Sequence, residues 1–283
     1  MKLHCTIQGK GFPILCLHGH PGSAKTMGVF TERLSDRYQT IAPDLRGYGA
    51  SQTRSPFDLD DSLTDLVELL DAQGIDRCLV LGWSLGGILA MELALRHPQR
   101  VAGLILIATA ARPVGAHPPT TWLELVNTGL GSILNVIAPG NGLVRYGLGP
   151  RSLYRYLLRQ HTPQAYHRLA KEGFWAYLGT SPLATRALNR ALARRYNRLP
   201  DLGAIAVPCL VLCGADDCHI TAQASLETAD HLPRAESHCY PNTAHLLPWE
   251  IPDQLLADID IWLRWHGAEL TLRNTDSQQD KPA

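Results

Sequence analysis

A serine set between glycines is the first candidate for chemistry: Ser84 lies between Gly82 and Gly86 in the segment GWSLGG. An apolar run precedes the segment and a helical pattern follows it, so G-x-S-x-G falls at a strand-to-helix turn. Such a turn exposes the serine Oγ, and the helix N-terminus directs free N–H groups towards negative charge. The alternative is a glycine-rich turn with an incidental serine. The spacing favours a nucleophile.

A serine nucleophile needs a base and an acid that orients the base, in the order Ser, Asp or Glu, His for this kind of turn. The apolar run LVLCGADD ends in Asp216 and Asp217, and CYPNTAHLLPWE presents His245 in a later loop. The residues alone leave both aspartates open as the acid. The other histidines considered as bases are weaker candidates: His18, His97, His219 and His238. The predicted chemistry is acyl transfer through an acyl-enzyme, with no metal or cofactor.

The elements that position these residues follow from the apolar pattern. Strand-length runs that are apolar throughout alternate with helical stretches, which indicates a parallel sheet covered on both faces. We therefore predict an α/β fold with a mostly parallel, doubly wound sheet and an inserted helical lid. The predicted core domain comprises residues 1–111 and 200–266, and the lid comprises 112–199. The polar segment 267–283 is predicted to be a disordered tail.

These motifs resemble the α/β-hydrolase superfamily, serine esterase branch. The family places its acid in a Gly-x-x-Asp turn, which implies Asp217 here, and usually has glycine before the histidine, where this chain has Ala244. The segment LHGHPGS resembles the turn that supplies one oxyanion-hole N–H, which implies the N–H of His20, with that of Leu85 as the second. The HGHP motif is also similar to epoxide hydrolases and haloalkane dehalogenases, but those carry aspartate where this chain has Ser84.

Charge is distributed unevenly along the chain. Lysine and arginine together balance aspartate and glutamate at 26 each. The segment Arg112–Pro200 nevertheless holds eleven arginines and one lysine against two glutamates, a net charge of +10. Its first half, from Trp122 to Ile137, is apolar and is predicted either to pack on the core or to roof an acyl pocket.

Two sets of arginines in this segment recur every four residues and predict a stripe along each of two helices: Arg151, Arg155 and Arg159, then Arg186, Arg190, Arg194 and Arg198. In one interpretation these arginines are solvated or paired with the acidic core. In the second, they bind an acidic partner: an acyl-carrier protein, a CoA-like phosphate or an anionic membrane surface. The second interpretation resembles the pimeloyl-[acyl-carrier protein] methyl ester esterases, in which lid arginines hold the carrier. Trp83 is a further candidate for substrate contact.

The predicted function is hydrolysis of a carboxylic ester. Thioesterase, lactonase and carbon–carbon bond hydrolase activities share the same residues and stay open, as does a catalytically silent ligand-binding or sensor protein. Seven cysteines without close pairs predict reduced thiols, and MKLHCTIQGKG lacks the apolar core of a signal peptide. These features predict a cytoplasmic protein with no transmembrane segment and no nucleic-acid partner.

Overall fold

A computed structural model describes residues 1–116 and 118–272. Seven strands form one sheet in the order β1-β3-β2-β4-β5-β6-β7, in which β1 is antiparallel to β3 and the other neighbours are parallel. The strands are β1 (Cys5–Gln8), β2 (Pro13–Leu17), β3 (Gln39–Pro43), β4 (Cys78–Trp83), β5 (Val101–Ile107), β6 (Cys209–Gly214) and β7 (Ala235–Tyr240). The central strands β4, β5 and β6 are buried along their whole length, which explains their continuous apolar sequence. The predicted mostly parallel sheet is confirmed.

Helices cover both faces of the sheet. They are α1 (Gly28–Leu34), α2 (Leu59–Ala72), α3 (Leu85–Arg96), α4 (Trp122–Ile137), α5 (Tyr154–Leu157), α6 (Pro163–Arg168), α7 (Phe174–Leu178), α8 (Pro182–Ala193), α9 (Ala222–His231), α10 (Leu247–Glu250) and α11 (Pro252–Leu272). One apolar core packs α2, α3 and α9 on one face, through residues such as Leu66 and Leu89. The other packs α1 and α11 on the opposite face, through residues such as Phe30 and Ile259. This arrangement is the predicted doubly wound α/β fold.

The inserted segment lies between β5 and β6. It comprises α4 to α8 together with two π-helical turns, Leu143–Leu148 and Leu169–Gly173. That these helices act as a lid stays a prediction.

The first predicted arginine stripe is wrong. Of the three arginines, only Arg155 lies in α5. Arg151 is the last residue of a short 3-10 turn before it, and Arg159 lies beyond its end, so the three do not share a helix. The helix is interrupted at Ser152, whose backbone is extended (φ −120°, ψ −178°) and whose hydroxyl donates to the carbonyl of Gly149 at 2.7 Å.

The second predicted arginine stripe is correct in part. Arg186 and Arg190 lie on α8, and Arg194 follows as its C-terminal cap. Arg198 lies outside the helix and pairs with Glu92 through Nε at 2.7 Å.

Helix α11 extends six residues past the predicted end of the core at His266, so the prediction of a disordered tail is wrong for 267–272. The reason is tertiary: Leu270 is only 2% exposed. A Cβ on Gly103 of β5 would lie 2.9 Å from the Leu270 Cδ2, so the glycine leaves room for this side chain. The rest of the predicted tail, 273–283, lies outside the described residues. Among the helices described, none combines the length and the apolar character needed to cross a bilayer.

Candidate active site

Ser84 occupies a strained turn between β4 and α3. Its backbone has φ 53° and ψ −115°, outside the conformations that residues with a side chain normally adopt. The flanking glycines are required by close backbone approach. A Cβ on Gly86 would lie 2.0 Å from the carbonyl oxygen of Leu17, and a Cβ on Gly82 would lie 2.4 Å from that of Gly86. The glycine spacing in the sequence therefore reflects the turn that presents the Ser84 hydroxyl.

His245 connects the serine to an aspartate. Its Nε2 lies 3.1 Å from the Ser84 Oγ, and its Nδ1 lies 2.8 Å from Oδ2 of Asp217. The other oxygen of Asp217 accepts the backbone N–H groups of His219 at 2.8 Å and Ile220 at 3.0 Å. Since the buried carboxylate can only accept, the Nδ1 of His245 carries the proton and its Nε2 is free to accept one from the serine.

Asp216, the other open candidate for the acid, points away from this arrangement. Its side chain is 43% exposed and lies 3.9 Å from the Nε of Arg159. The structure thus brings Asp217, and not Asp216, to His245.

The loop that carries His245 is held by two buried side chains. Glu250 accepts the N–H of Ala244 through Oε1 at 2.8 Å, and Trp83 donates its indole N–H to the carbonyl of His245 at 3.3 Å. The second oxygen of Glu250 accepts the N–H groups of Arg159 at 2.8 Å and Gln160 at 2.7 Å, which ties the inserted segment to this loop. Burial raises the pKa of Glu250, although the three N–H bonds act against that shift.

Trp83, predicted to contact substrate, is instead buried outside the cavity beside Ser84. Its ring packs edge-on against Trp249, with 5.3 Å between centroids. Side chains alternate across a strand, and Trp83 therefore falls in the same core as Leu79 and Leu81, on the opposite face from Val80.

The HGHP segment approaches Ser84 closely. A Cβ on Gly19 would lie 3.2 Å from the Ser84 Cβ. The buried His18 organises this turn: its Nε2 accepts the N–H of Leu45 at 3.1 Å, so its Nδ1 donates to the carbonyl of Gly19 at 2.8 Å. Burial lowers the pKa of His18 to about 4, which keeps the ring neutral.

The two predicted oxyanion-hole residues flank the serine. Leu85 is the first residue of α3, so its N–H has no partner within the helix. His20 and Leu85 line the same cavity as Ser84. This placement suits the role that the resemblance implies for their N–H groups.

The cavity next to Ser84 has a volume of about 720 Å³. It combines apolar side chains with polar ones. His219 was a weaker candidate base in the sequence, and five further polar residues had no predicted role at the site: Arg112, Asn189, Arg195, Tyr196 and Asn197. Arg112 pairs with Glu227 at 2.8 Å. Arg195 has φ 58° and forms no ion pair with any residue described here. No local signal marks these residues, because their stretch 189–197 meets Arg112, His219 and Ser84 only through the tertiary fold.

No three or more histidine, cysteine, aspartate or glutamate side chains in ranges 1–116 and 118–272 are placed to hold a metal ion.

The predicted partner-binding arginines divide into two groups. Those of the first set have partners within the protein: Arg155 pairs with Glu124 at 2.6 Å, Arg159 lies near Asp216, and Arg151 donates to the carbonyl of Gly147 at 2.8 Å. In contrast, three arginines of the second set are exposed and lack a carboxylate partner within the described part of the chain: Arg186, Arg190 and Arg194. Within the described residues, the α8 group and Arg151 therefore keep a positive charge that no carboxylate neutralises, whereas Arg155 and Arg159 lie beside carboxylates.

Comparisons with known proteins agree with this architecture. The alpha/beta hydrolase fold family matches residues 13–252. A 2-hydroxymuconate semialdehyde hydrolase from Pseudomonas putida is 32% identical over 84% of this chain and 82% of its own length. A pimeloyl-[acyl-carrier protein] methyl ester esterase from Edwardsiella ictaluri is 28% identical over 82% of this chain and 85% of its own.

Among solved structures, a thermophilic esterase from Thermogutta terrifontis superposes with a TM-score of 0.66 at 25% identity, covering 93% of each chain. The family match over residues 13–252 and the structural match over 93% of the chain together identify the family. This chain is a member of the α/β-hydrolase family.

Proposed function

We propose that the protein is a serine hydrolase that cleaves a carboxylic ester through an acyl-enzyme intermediate. The observation that carries this proposal is the continuous hydrogen-bond relay from the Ser84 Oγ through His245 to Asp217, at 3.1 and 2.8 Å, beside an open cavity. A relay of this geometry lets a weak hydroxyl nucleophile lose its proton as it attacks.

In the proposed reaction the Ser84 Oγ attacks the ester carbonyl while the Nε2 of His245 takes its proton. Asp217 holds the imidazole orientation and stabilises the positive charge that forms on the ring. The N–H groups of His20 and Leu85 stabilise the tetrahedral oxyanion, where loss of one such donor costs about 3–4 kcal/mol. His245 then protonates the departing alkoxide, and a water that it activates releases the acid and regenerates the serine.

The central test is Ser84→Ala with a nitrophenyl acyl ester. We expect turnover to fall to background, and labelling by a fluorophosphonate to disappear with it. Labelling of the wild type at Ser84 separates this function from that of a catalytically silent ligand-binding protein, which would remain unlabelled. Full turnover by the alanine variant would refute the proposal.

The substrate class is proposed from the cavity. Its apolar residues, which include Ile88, Leu188 and Leu192, suit an acyl chain, while Arg195 of the same cavity suits a polar or anionic group of the substrate. We expect Arg195→Gln to raise KM for an acyl ester that ends in a carboxylate and to leave KM unchanged for the neutral ester of equal length.

Thioesters, lactones and substrates with an activated carbon–carbon bond remain alternatives, because they use the same relay and differ only in the pocket. The similarity to a 2-hydroxymuconate semialdehyde hydrolase is the reason to include the last class. A panel of matched methyl ester, thioester, lactone and vinylogous diketone substrates discriminates them through kcat/KM. The ester proposal requires the methyl ester to be the best of the four.

An acidic acyl-carrier protein is the partner we propose for α8, in line with the similarity to a pimeloyl-[acyl-carrier protein] methyl ester esterase. The exposed guanidinium groups of Arg186, Arg190 and Arg194 support this. The test compares kcat/KM for a methyl ester free and on the carrier, at low and high salt. A preference for the carrier-bound ester that falls at high salt supports docking, since exposed ion pairs are screened over about 10 Å at 0.1 M salt. The double variant Arg190→Gln with Arg194→Gln should lower the same preference. All seven cysteines are free thiols, which suits a reducing compartment, and we propose that this reaction occurs in the cytoplasm.

A further inference from the structure

Helix α4 turns its polar side towards the protein. Glu124, Gly131 and Asn135 are its buried residues, and its inward side chains bond to neighbouring elements. Asn135 donates to the carbonyl of Tyr166 at 2.7 Å, and Asn127 donates to that of Arg151 at 2.9 Å. Polar groups therefore attach α4 to the rest of the protein, whereas a surface helix normally packs on the core through its apolar face.

The opposite face of α4 is apolar and open to solvent. Seven large apolar side chains are between 45 and 75% exposed: Trp122, Leu123, Leu125, Val126, Leu130, Ile133 and Ile137. Two further exposed residues of the following segment, Leu143 and Tyr146, add to the apolar surface. None of the described residues that line the cavity belongs to α4, so this face does not serve the substrate pocket. A contiguous apolar face of this kind marks an interaction site.

Positive charge accompanies the apolar face. Arg151 and Arg155 belong to the segment that packs against α4, and Arg145 lies over the ring of Tyr146 at 4.8 Å. Arg155 is neutralised by Glu124, whereas Arg145 and Arg151 bond to carbonyl and hydroxyl groups and form no ion pair within the described residues. The apolar face is thus bordered by two guanidinium groups that retain their charge.

We propose that α4, with Leu143 and Tyr146, docks on an anionic lipid surface, lying in the plane of the interface. A helix of this length spans about 24 Å, and apolar side chains with bordering arginines are what binding to acidic headgroups requires. The proposal concerns peripheral binding to the negatively charged surface of a lipid leaflet.

Two other occupants fit less well. In a symmetric dimer each copy would bring its own Arg145 and Arg151, which no described carboxylate neutralises, to the contact with its partner, so like charges would oppose it. The segment RNTDSQQDKPA, 273–283, contains no large apolar side chain and cannot bury this face. The charge and the apolar area together therefore favour a lipid surface.

Flotation of the full-length protein with lipid vesicles tests the proposal. One series is pure phosphatidylcholine, and the other contains about one quarter phosphatidylglycerol, each at low and high salt. We expect binding to the anionic vesicles at least about tenfold above binding to the neutral ones, with a decrease at high salt. A blue shift of tryptophan fluorescence on anionic vesicles should be smaller in Trp122→Phe, because Trp122 enters the lipid.

Variants separate the apolar and charged contributions. Replacing Val126, Leu130 and Ile133 by serine removes apolar groups without changing charge and should lower partitioning at least about tenfold. The matched control, Ile7→Ser with Ile261→Ser, changes exposed apolar residues elsewhere and should bind as the wild type. Arg151→Gln should weaken binding to anionic vesicles only.

Arg54→Gln is the matched control for charge, because Arg54 is exposed on the core domain. It should leave binding unchanged. Circular dichroism and Tm establish that each variant is folded.

Several results overturn the proposal. Absence of binding to anionic vesicles at low salt does so directly. The proposal also fails if the serine triple variant and the Ile7→Ser, Ile261→Ser control lose vesicle binding equally. A dimer that dissociates in the triple variant without any vesicle binding assigns the face to a second copy. Capture of soluble acyl-carrier protein by this face, again without vesicle binding, assigns it to that partner. None of these readouts depends on ester hydrolysis, so failure here leaves the proposed function standing.

Discussion

Replacing Asp217 by asparagine separates the charge of this residue from its hydrogen bonds. The backbone N–H groups of His219 and Ile220 both point at Oδ1, at 2.8 and 3.0 Å. In Asp217→Asn they keep the amide oxygen on their side, because an NH₂ group there would face two donors. The NH₂ must then face the Nδ1 of His245, which becomes an acceptor. The ring proton moves to Nε2, where it faces the Ser84 hydroxyl.

A histidine in that tautomer cannot take the serine proton. In Ser-His-Asp enzymes the corresponding substitution lowers kcat by about 10⁴. That loss corresponds to about 5.5 kcal/mol of transition-state stabilisation, at 1.36 kcal/mol per factor of ten. KM should change little, because Asp217 does not line the cavity. Stability should also change little, because asparagine has the same shape and keeps its partners.

Steady-state hydrolysis of a nitrophenyl ester measures the effect, with Asp216→Asn as the matched control. Asp216 is exposed and only 3.9 Å from a guanidinium, so its loss should alter kcat by no more than about threefold. If Asp217→Asn retained more than about one tenth of kcat, or if the two variants lost equally, the assignment of the acid would be refuted.

Three further predictions follow from the packing around the site. Gly86→Ala should abolish folding or lower the free energy of unfolding by at least about 3 kcal/mol, because its Cβ would lie 2.0 Å from the carbonyl oxygen of Leu17. Gly129→Ala is the matched control in urea unfolding. Its Cβ would have nothing within 4 Å, so this variant should be stabilised by about 0.5–1 kcal/mol. Glu250→Ala should cost about 2–3 kcal/mol in the same assay and lower kcat, since the buried N–H of Ala244 and the half-buried N–H groups of Arg159 and Gln160 lose their acceptor. Burial lowers the pKa of His18 to about 4 in the folded protein, so the unfolded chain binds a proton at this residue first as the pH falls. The free energy of unfolding should therefore decrease between about pH 6.5 and pH 4. That loss should total about 3 kcal/mol and be absent from His18→Gln, whereas a wild-type stability that is flat over this range would contradict the prediction.

Much of the catalytic arrangement could be predicted because each part follows a local rule. The turn at Ser84 needs small residues two positions away, and strands buried on both faces must be apolar throughout. The choice between Asp216 and Asp217 could not be made from local pattern alone. It rested on resemblance, and in the structure it depends on which carboxylate the turn after β6 directs inwards.

The predictions that failed share a cause. Spacing of four residues places arginines on one face only where a helix continues, and the turn at Ser152 ends it. Trp83 was predicted to contact substrate, but it packs into the core together with Leu79 and Leu81 of the same strand. Helix α11 continues past His266 because Leu270 finds a space above Gly103, far away in sequence.

The sequence by itself determined the fold class and singled out Ser84 and His245 as the proposed nucleophile and base, because hydrophobic period and glycine placement act over a few residues. Only the tertiary structure decided which aspartate meets the histidine, which arginines keep a free charge and which residues line the cavity. It alone showed that α4 presents its apolar face to solvent, since the same pattern equally predicts a helix packed on the core. These outcomes depend on contacts between segments distant in the chain, and local patterns carry no information about which segments will meet.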